Sequence, residues 1–172
     1  IYQSSPFGNG SNAMLPYIPK DASDINLKDN IKLFGSTINI PRIEVLEHFY
    51  KQKFREEERL YFAHLQSYVF SMKKETLEYL IEKELFSLTN NVTDFFQAVM
   101  QKEIKMSRLV IENGWNIGCL HQFYKDVDFT FKTPNQEIKI VDDVMYPHYL
   151  NNLWTLYELV FVKGNRFDGT SH

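Results

Sequence analysis

Glu103 is the residue whose chemistry least fits its sequence surroundings. On a helix advancing 100° per residue, Phe96, Val99, Met100, Met106 and Val110 fall within about 60° of it. Gln101, Lys105, Arg108 and Glu112 fall on the far side. A carboxylate in the middle of an apolar stripe loses hydration unless something compensates it. It must be ion-paired, protonated or set in the wall of a cavity. One reading is structural: a salt bridge, or a carboxylate capping buried backbone donors. The other is functional, because acids in perturbing environments gather at active sites. Spacing alone leaves both open.

Other reactive side chains are sparse. His64, His121 and His148 stand singly in the sequence, where a hydrogen-bonded structural role is the ordinary one. Ser67 follows His64 by three residues, but no Gly-x-Ser-x-Gly elbow surrounds it. Neither a phosphate-binding P-loop nor a dinucleotide glycine motif occurs. Cys119 is the only cysteine, which rules out an internal disulfide and a Cys-rich zinc site and points to a reducing compartment.

The elements that must position these residues follow from the pattern. Residues 31–34 read as a short strand closed by Gly35. Pro41 opens a helix whose apolar face is Ile43, Leu46, Phe49, Tyr50 and Phe54, ending in the charged run 55–59, read as a solvated face. Residues 60–72, rich in Tyr, Phe and Val, read as one strand, and 73–83 as a helix carrying Leu77, Leu80 and Ile81. Asn91 with Asp94 resembles a capping box and Gly114 a stop, so 92–113 is predicted to be one long helix. Residues 115–120 and 159–163 read as strands, and 124–147 as mostly loop with a short strand at 138–141.

A chain of 172 residues suits one domain with a sizeable core, and 44% hydrophobic with 24% charged residues suits a soluble one. The 14 Phe and 10 Tyr are chiefly a packing signal, with some available to line a sugar site. A formal charge of -3 gives no electrostatic reason to expect nucleic acid. No apolar run approaches the roughly 20 residues needed to span a bilayer, and no secretory signal is visible. The expected location is cytoplasmic, with peripheral membrane association left open. Residues 1–14 read as a tag remnant or a flexible native loop, since Ser11-Asn12-Ala13-Met14 has the look of a vector scar. Residues 15–168 form the domain and 169–172 a tail.

Four stretches carry a family resemblance. Lys102-Glu103-Ile104-Lys105-Met106-Ser107-Arg108, followed by Glu112-Asn113-Gly114-Trp115-Asn116-Ile117, resembles a segment of GT-A glycosyltransferases. In that segment an acid precedes a helix and then a glycine and a strand. In many inverting members the acid is the base that deprotonates the acceptor hydroxyl, and Glu103 stands in its place. The usual form has two adjacent acids; Ile104 replaces the second. The other stretches are Lys32-Leu33-Phe34-Gly35-Ser36-Thr37-Ile38-Asn39, His64-Leu65-Gln66-Ser67-Tyr68-Val69-Phe70-Ser71, and Tyr157-Glu158-Leu159-Val160-Phe161-Val162-Lys163-Gly164-Asn165-Arg166. They are similar, in order and spacing, to the polysaccharide-biosynthesis branch related to rhamnan-synthesis proteins.

The resemblance implies a mixed α/β fold: a GT-A-like partial sheet flanked by helices. It implies a nucleotide-sugar donor, a glycan acceptor, and substrate-binding places for Ser36, Asn39, His64, Gln66, Lys163, Asn165 and Arg166. Lys163 and Arg166 flank a Gly-Asn turn where their donors can reach a diphosphate, the structural alternative being an exposed basic strand end. It also implies a divalent metal, Mn or Mg, held by an Asp-x-Asp and often by a C-terminal histidine, for which His148 or His121 is available. Asp126-Val127-Asp128 has the spacing but follows the base helix instead of preceding it, and reads as a loop coincidence. The nucleotide-binding half would then lie upstream. The leading expectation is a glycosyltransferase or its acceptor-side portion; the alternative is a noncatalytic glycan-binding or scaffolding domain.

Overall fold

A computed structural model describes residues 30–121, 124–133 and 136–138, and the backbone of two short strands between 148 and 153. Its architecture is mixed α and β. A three-stranded sheet has β1 (Ile31–Gly35) at its centre, antiparallel to β4 (Phe70–Met72) and parallel to β5 (Asn116–Cys119). β2 (Ile38–Asn39) pairs antiparallel with β3 (His64–Leu65), and β6 (His148–Tyr149) with β7 (Asn152–Leu153).

The helices that lie wholly within the described residues are α1 (Ile43–Tyr50), α2 (Lys74–Glu82), and a long continuous rod in three parts. These are α3 (Phe95–Ala98), a π turn (Val99–Ile104) and α4 (Lys105–Glu112). The predicted long helix therefore exists, with its start corrected. Asp94, not Asn91, is the N-cap: its Oδ1 accepts from Gln97 N at 2.8 Å. The stop is as predicted. Gly114 adopts φ 79, a left-handed conformation that costs a Cβ-bearing residue energy, and its N–H reaches Ile111 O at 2.9 Å.

Residues 60–72 are not one strand. Glu56–Phe62 winds into a 3-10 helix, β3 follows, and a turn at 66–69 separates it from β4. The aromatic run satisfies strand propensity and helical burial alike, and tertiary packing decided between them. Phe62 turns inward, edge-on to Phe54 with ring centres 5.6 Å apart. α1 also ends sooner than its apolar spacing suggests, at Tyr50, where Lys51 turns left-handed with φ 56, leaving Phe54 beyond it.

The charged run 55–59 is only partly a solvated face. Arg59 is buried: its Nε donates to Pro41 O at 2.8 Å and its Nη1 pairs with Glu56. Residues 124–133 are turns and bends, as expected of a loop, and Ile138 belongs to no strand. The strand expected at 159–163 and the rest of 138–141 lie outside the described residues.

Two cores divide the interior. Leu33, Ile38, Leu65, Met106, Val110 and Ile117 belong to the one against the sheet. Leu46, Phe62, Met100 and Ile104 form the other, under α1 and the 3-10 helix. The long rod thus buries two faces, Met106 with Val110 on one and Met100 with Ile104 on the other. The single stripe read from a 3.6-residue period becomes two once the π turn shifts the phase.

Candidate functional site

The parallel pair β1–β5 fixes where a site can form. Gly35 pairs with Cys119 and Gly35 also with Phe70, so 36–37, 66–69 and 120–121 all gather at one edge of the sheet. This is the edge beyond the carboxyl ends of the parallel strands, where ligands bind in open α/β sheets. Contact there is tight. A Cβ on Gly35 would stand 2.9 Å from Val69 O and from Leu65 Cδ2, so only glycine lets the 65–69 segment close over β1.

That closure assembles a hydroxyl cluster. Tyr68 Oη lies 2.6 Å from Ser36 Oγ and 2.9 Å from Thr37 Oγ1. Thr37 Oγ1 donates to Gln66 Oε1 at 3.4 Å, and Gln66 N donates to Thr37 O at 3.2 Å. Ser36, Thr37 and Gln66 are buried, while Tyr68 is half-buried. His64 is buried too, with Nδ1 2.9 Å from Phe62 O, and it faces half-buried Asn39 across the β2–β3 ladder.

The long rod meets this edge through Glu103. Glu103 is a half-buried residue of the π turn, and its Oε1 accepts from the exposed Ser67 N at 2.9 Å in a bond open to solvent. No Arg or Lys among the described residues pairs with it, and Oε2 has no hydrogen-bond partner among them. The compensation for its place between two apolar faces is therefore one backbone donor plus solvent. One turn on, buried Ser107 accepts from Leu65 N at 3.0 Å and pins β3 to the rod. Glu103 is not among the residues lining the cavity of about 510 Å³ that opens beside Gln101, Lys105 and Arg108.

Of the residues expected to bind substrate, Ser36 and Gln66 come together with the expected base Glu103 at the sheet edge, with Asn39 and His64 on the adjoining ladder. Lys163, Asn165 and Arg166 lie outside the described residues, and for His148 only the backbone of β6 is described. Sequence reasoning gave no site role to Thr37, Ser67, Tyr68 or Ser107. Ser107 had a signal, a small hydroxyl between Met106 and Val110 on the apolar face; Tyr68 and Ser67 had none until the 66–69 turn was known.

Asp126-Val127-Asp128 behaves as a loop element. Asp128 is buried, and both its oxygens are occupied: Oδ1 by Thr130 N (2.9 Å) and Thr130 Oγ1 (2.5 Å), Oδ2 by Thr133 N (2.7 Å) and Thr133 Oγ1 (2.9 Å). Asp126 is exposed. Among the described residues no group of three or more His, Cys, Asp or Glu is arranged to hold a metal ion.

Comparison with protein-family models, with curated proteins and with solved structures found no match for this chain. No helix among the described residues is long and apolar enough to cross a membrane. Burial lifts the Cys119 thiol to about 11, against the weaker opposing pull of backbone bonds at His121 and Ile38, so it is no nucleophile at neutral pH.

Proposed function

We propose that this chain is a glycosyltransferase domain, or the acceptor-side portion of one, in which Glu103 is the general base that takes the proton from an acceptor hydroxyl. The observation that carries the reading is the carboxylate itself. One oxygen is fixed by the Ser67 N–H, the other is uncommitted among the described residues, and both stand at the carboxyl edge of the parallel strands. A base must be held in place yet keep one oxygen for the proton, and this arrangement supports that task. Of the neighbouring polar groups, half-buried Tyr68 is the one a sugar hydroxyl could reach; Ser36, Thr37 and Gln66 are buried and bonded within the cluster, and support it from beneath.

The donor would be a nucleotide sugar. A divalent metal, Mn or Mg, would neutralise its diphosphate when present, with Lys163, Asn165, Arg166 and His148 as the chain's nominees for that end. Asp128 is not a nominee, because its four hydrogen bonds leave no lone pair facing outward. Transfer by the whole gene product from UDP- and dTDP-sugars to a glycan acceptor, followed as nucleoside diphosphate release, tests the reading. Acceptor-dependent release supports it; no release across both donor series with manganese present contradicts it.

A further inference from the structure

The Ser67 N–H that fixes Glu103 belongs to a turn that must itself be held. The two ends of the turn are tied down: Gln66 N donates to Thr37 O at 3.2 Å, and Phe70 pairs with Gly35. Between those ends the chain crosses Gly35 so closely that a Cβ there would meet Val69 O at 2.9 Å. Ser67 itself is exposed, and a hydrogen bond open to solvent contributes little on its own. Such a bond orients a carboxylate only as well as its donor is held.

Tyr68 supplies the hold. Its hydroxyl reaches Ser36 Oγ at 2.6 Å and Thr37 Oγ1 at 2.9 Å, both on buried residues just past the end of β1. The order of protons follows from Gln66. Thr37 gives its single hydroxyl proton to Gln66 Oε1 at 3.4 Å, so Tyr68 donates to Thr37 and accepts from Ser36. One chain of donors therefore runs Ser36, Tyr68, Thr37, Gln66, with the tyrosine inside it. Removing that hydroxyl takes an acceptor from Ser36 and a donor from Thr37, both shut away from water, which is costly. Restoring their hydration requires 66–69 to lift, and lifting it carries Ser67 N away from Glu103.

We infer that Tyr68 is a positioning residue, which sets the orientation of the Glu103 carboxylate through the Ser67 N–H. The hydroxyl chain holds the turn, the turn holds the N–H, and the N–H holds Oε1. The catalytic consequence rests on the reading of Glu103 as a base; the mechanical linkage does not. A base must have its lone pair aimed at the proton it takes, and a small misplacement is felt in the chemical step. Loss of the Tyr68 hydroxyl should therefore appear in kcat, not in KM alone.

The test has a spectroscopic arm and a kinetic one. In the isotope-labelled full chain, acidification from neutral to about pH 4 should shift the Ser67 amide proton, because a protonated carboxyl accepts more weakly than a carboxylate. Glu103→Gln, which cannot ionise, should abolish that response. Tyr68→Phe should cut it by about half or more, while the Gln97 amide, which donates to Asp94, responds equally in every variant. In the whole gene product, Tyr68→Phe should lower kcat about tenfold or more, and in a Glu103→Gln background by no more than about twofold further. Should Tyr68→Phe fail to fold, Ser36→Ala, which removes one of the two partners, takes its place in both arms. A Ser67 response equal to that of the wild type would overturn the inference, as would a kinetic loss confined to KM. A lost Ser67 response in a chain whose wild type transfers no sugar would count against the transfer reading alone and support the linkage.

Discussion

The backbone N–H of Ser67 donates to Oε1 of Glu103 across 2.9 Å, joining the turn before β4 to the π turn of the long rod. This contact ties 66–69 to the helix at the place where Ser107 also accepts from Leu65 N. A glutamine at 103 still offers an oxygen to Ser67, whereas alanine offers none. Glu103→Ala is expected to cost about 1 kcal/mol, or roughly 2–4 °C in Tm, as for one half-exposed hydrogen bond. A thermal melt showing no change would mean that the contact carries no stability.

Asp128 is the residue whose loss should damage the fold most locally. Its truncation strands two backbone N–H groups and two hydroxyls in the 128–133 loop. Asp128→Ala should lower stability by about 3 kcal/mol, roughly 6–12 °C in Tm, and EDTA should leave the wild-type melt unchanged if the role is structural. A metal ligand would behave the other way, with a small loss for the variant and a chelator-sensitive wild type.

Arg59 and Arg55 are four residues apart in one charged run and should respond differently. Arg59 holds Pro41 O from inside the fold, while Arg55 is exposed. Arg59→Met leaves that carbonyl without its charged donor and should cost about 2 kcal/mol; Arg55→Met should stay within about 0.5 kcal/mol. Urea denaturation with equal midpoints for the two variants would refute the distinction.

Alkaline pH should destabilise the protein through Cys119. Its thiol rises from 9.0 to about 11 on folding because burial disfavours the thiolate. A folded-state value above the unfolded one contributes stability that is complete below about pH 9 and is lost as pH climbs through about 11. The loss amounts to roughly 3 kcal/mol for two units. Tyr50 and Tyr61, raised first by burial, add to the same trend. Cys119→Ala should therefore melt with a shallower decline between pH 9 and 11. An identical slope would show that the thiol is not the group responsible.

The parts of this fold legible in the sequence are those governed by local signals. β1, α2, β5 and the Gly114 stop follow from short apolar runs, helical spacing and a left-handed turn. The 60–72 segment was not legible, because an aromatic run reads as strand while Phe62 needed a 3-10 turn to reach Phe54 and Tyr50. Arg59 looked like surface because charge patterns do not reveal a carbonyl supplied from position 41. Glu103 was singled out by its misfit, yet the single apolar stripe behind that argument assumed a regular period. The π turn splits the stripe, and the partner proved to be a backbone N–H that no side-chain pattern encodes.

Glutamine at position 103 tests the central claim most directly. Glu103→Gln keeps the size of the side chain and the acceptor for Ser67 while removing the base. In the whole gene product, assayed beside the wild type for acceptor-dependent transfer, it should reduce kcat at least about 100-fold, the range a general base supplies. Its melting temperature should fall by only about 1–2 °C, a small fraction of what losing a buried group costs. Normal turnover by Glu103→Gln, whatever its Tm, would contradict the assignment and leave Glu103 as a structural tie between the rod and the 66–69 turn.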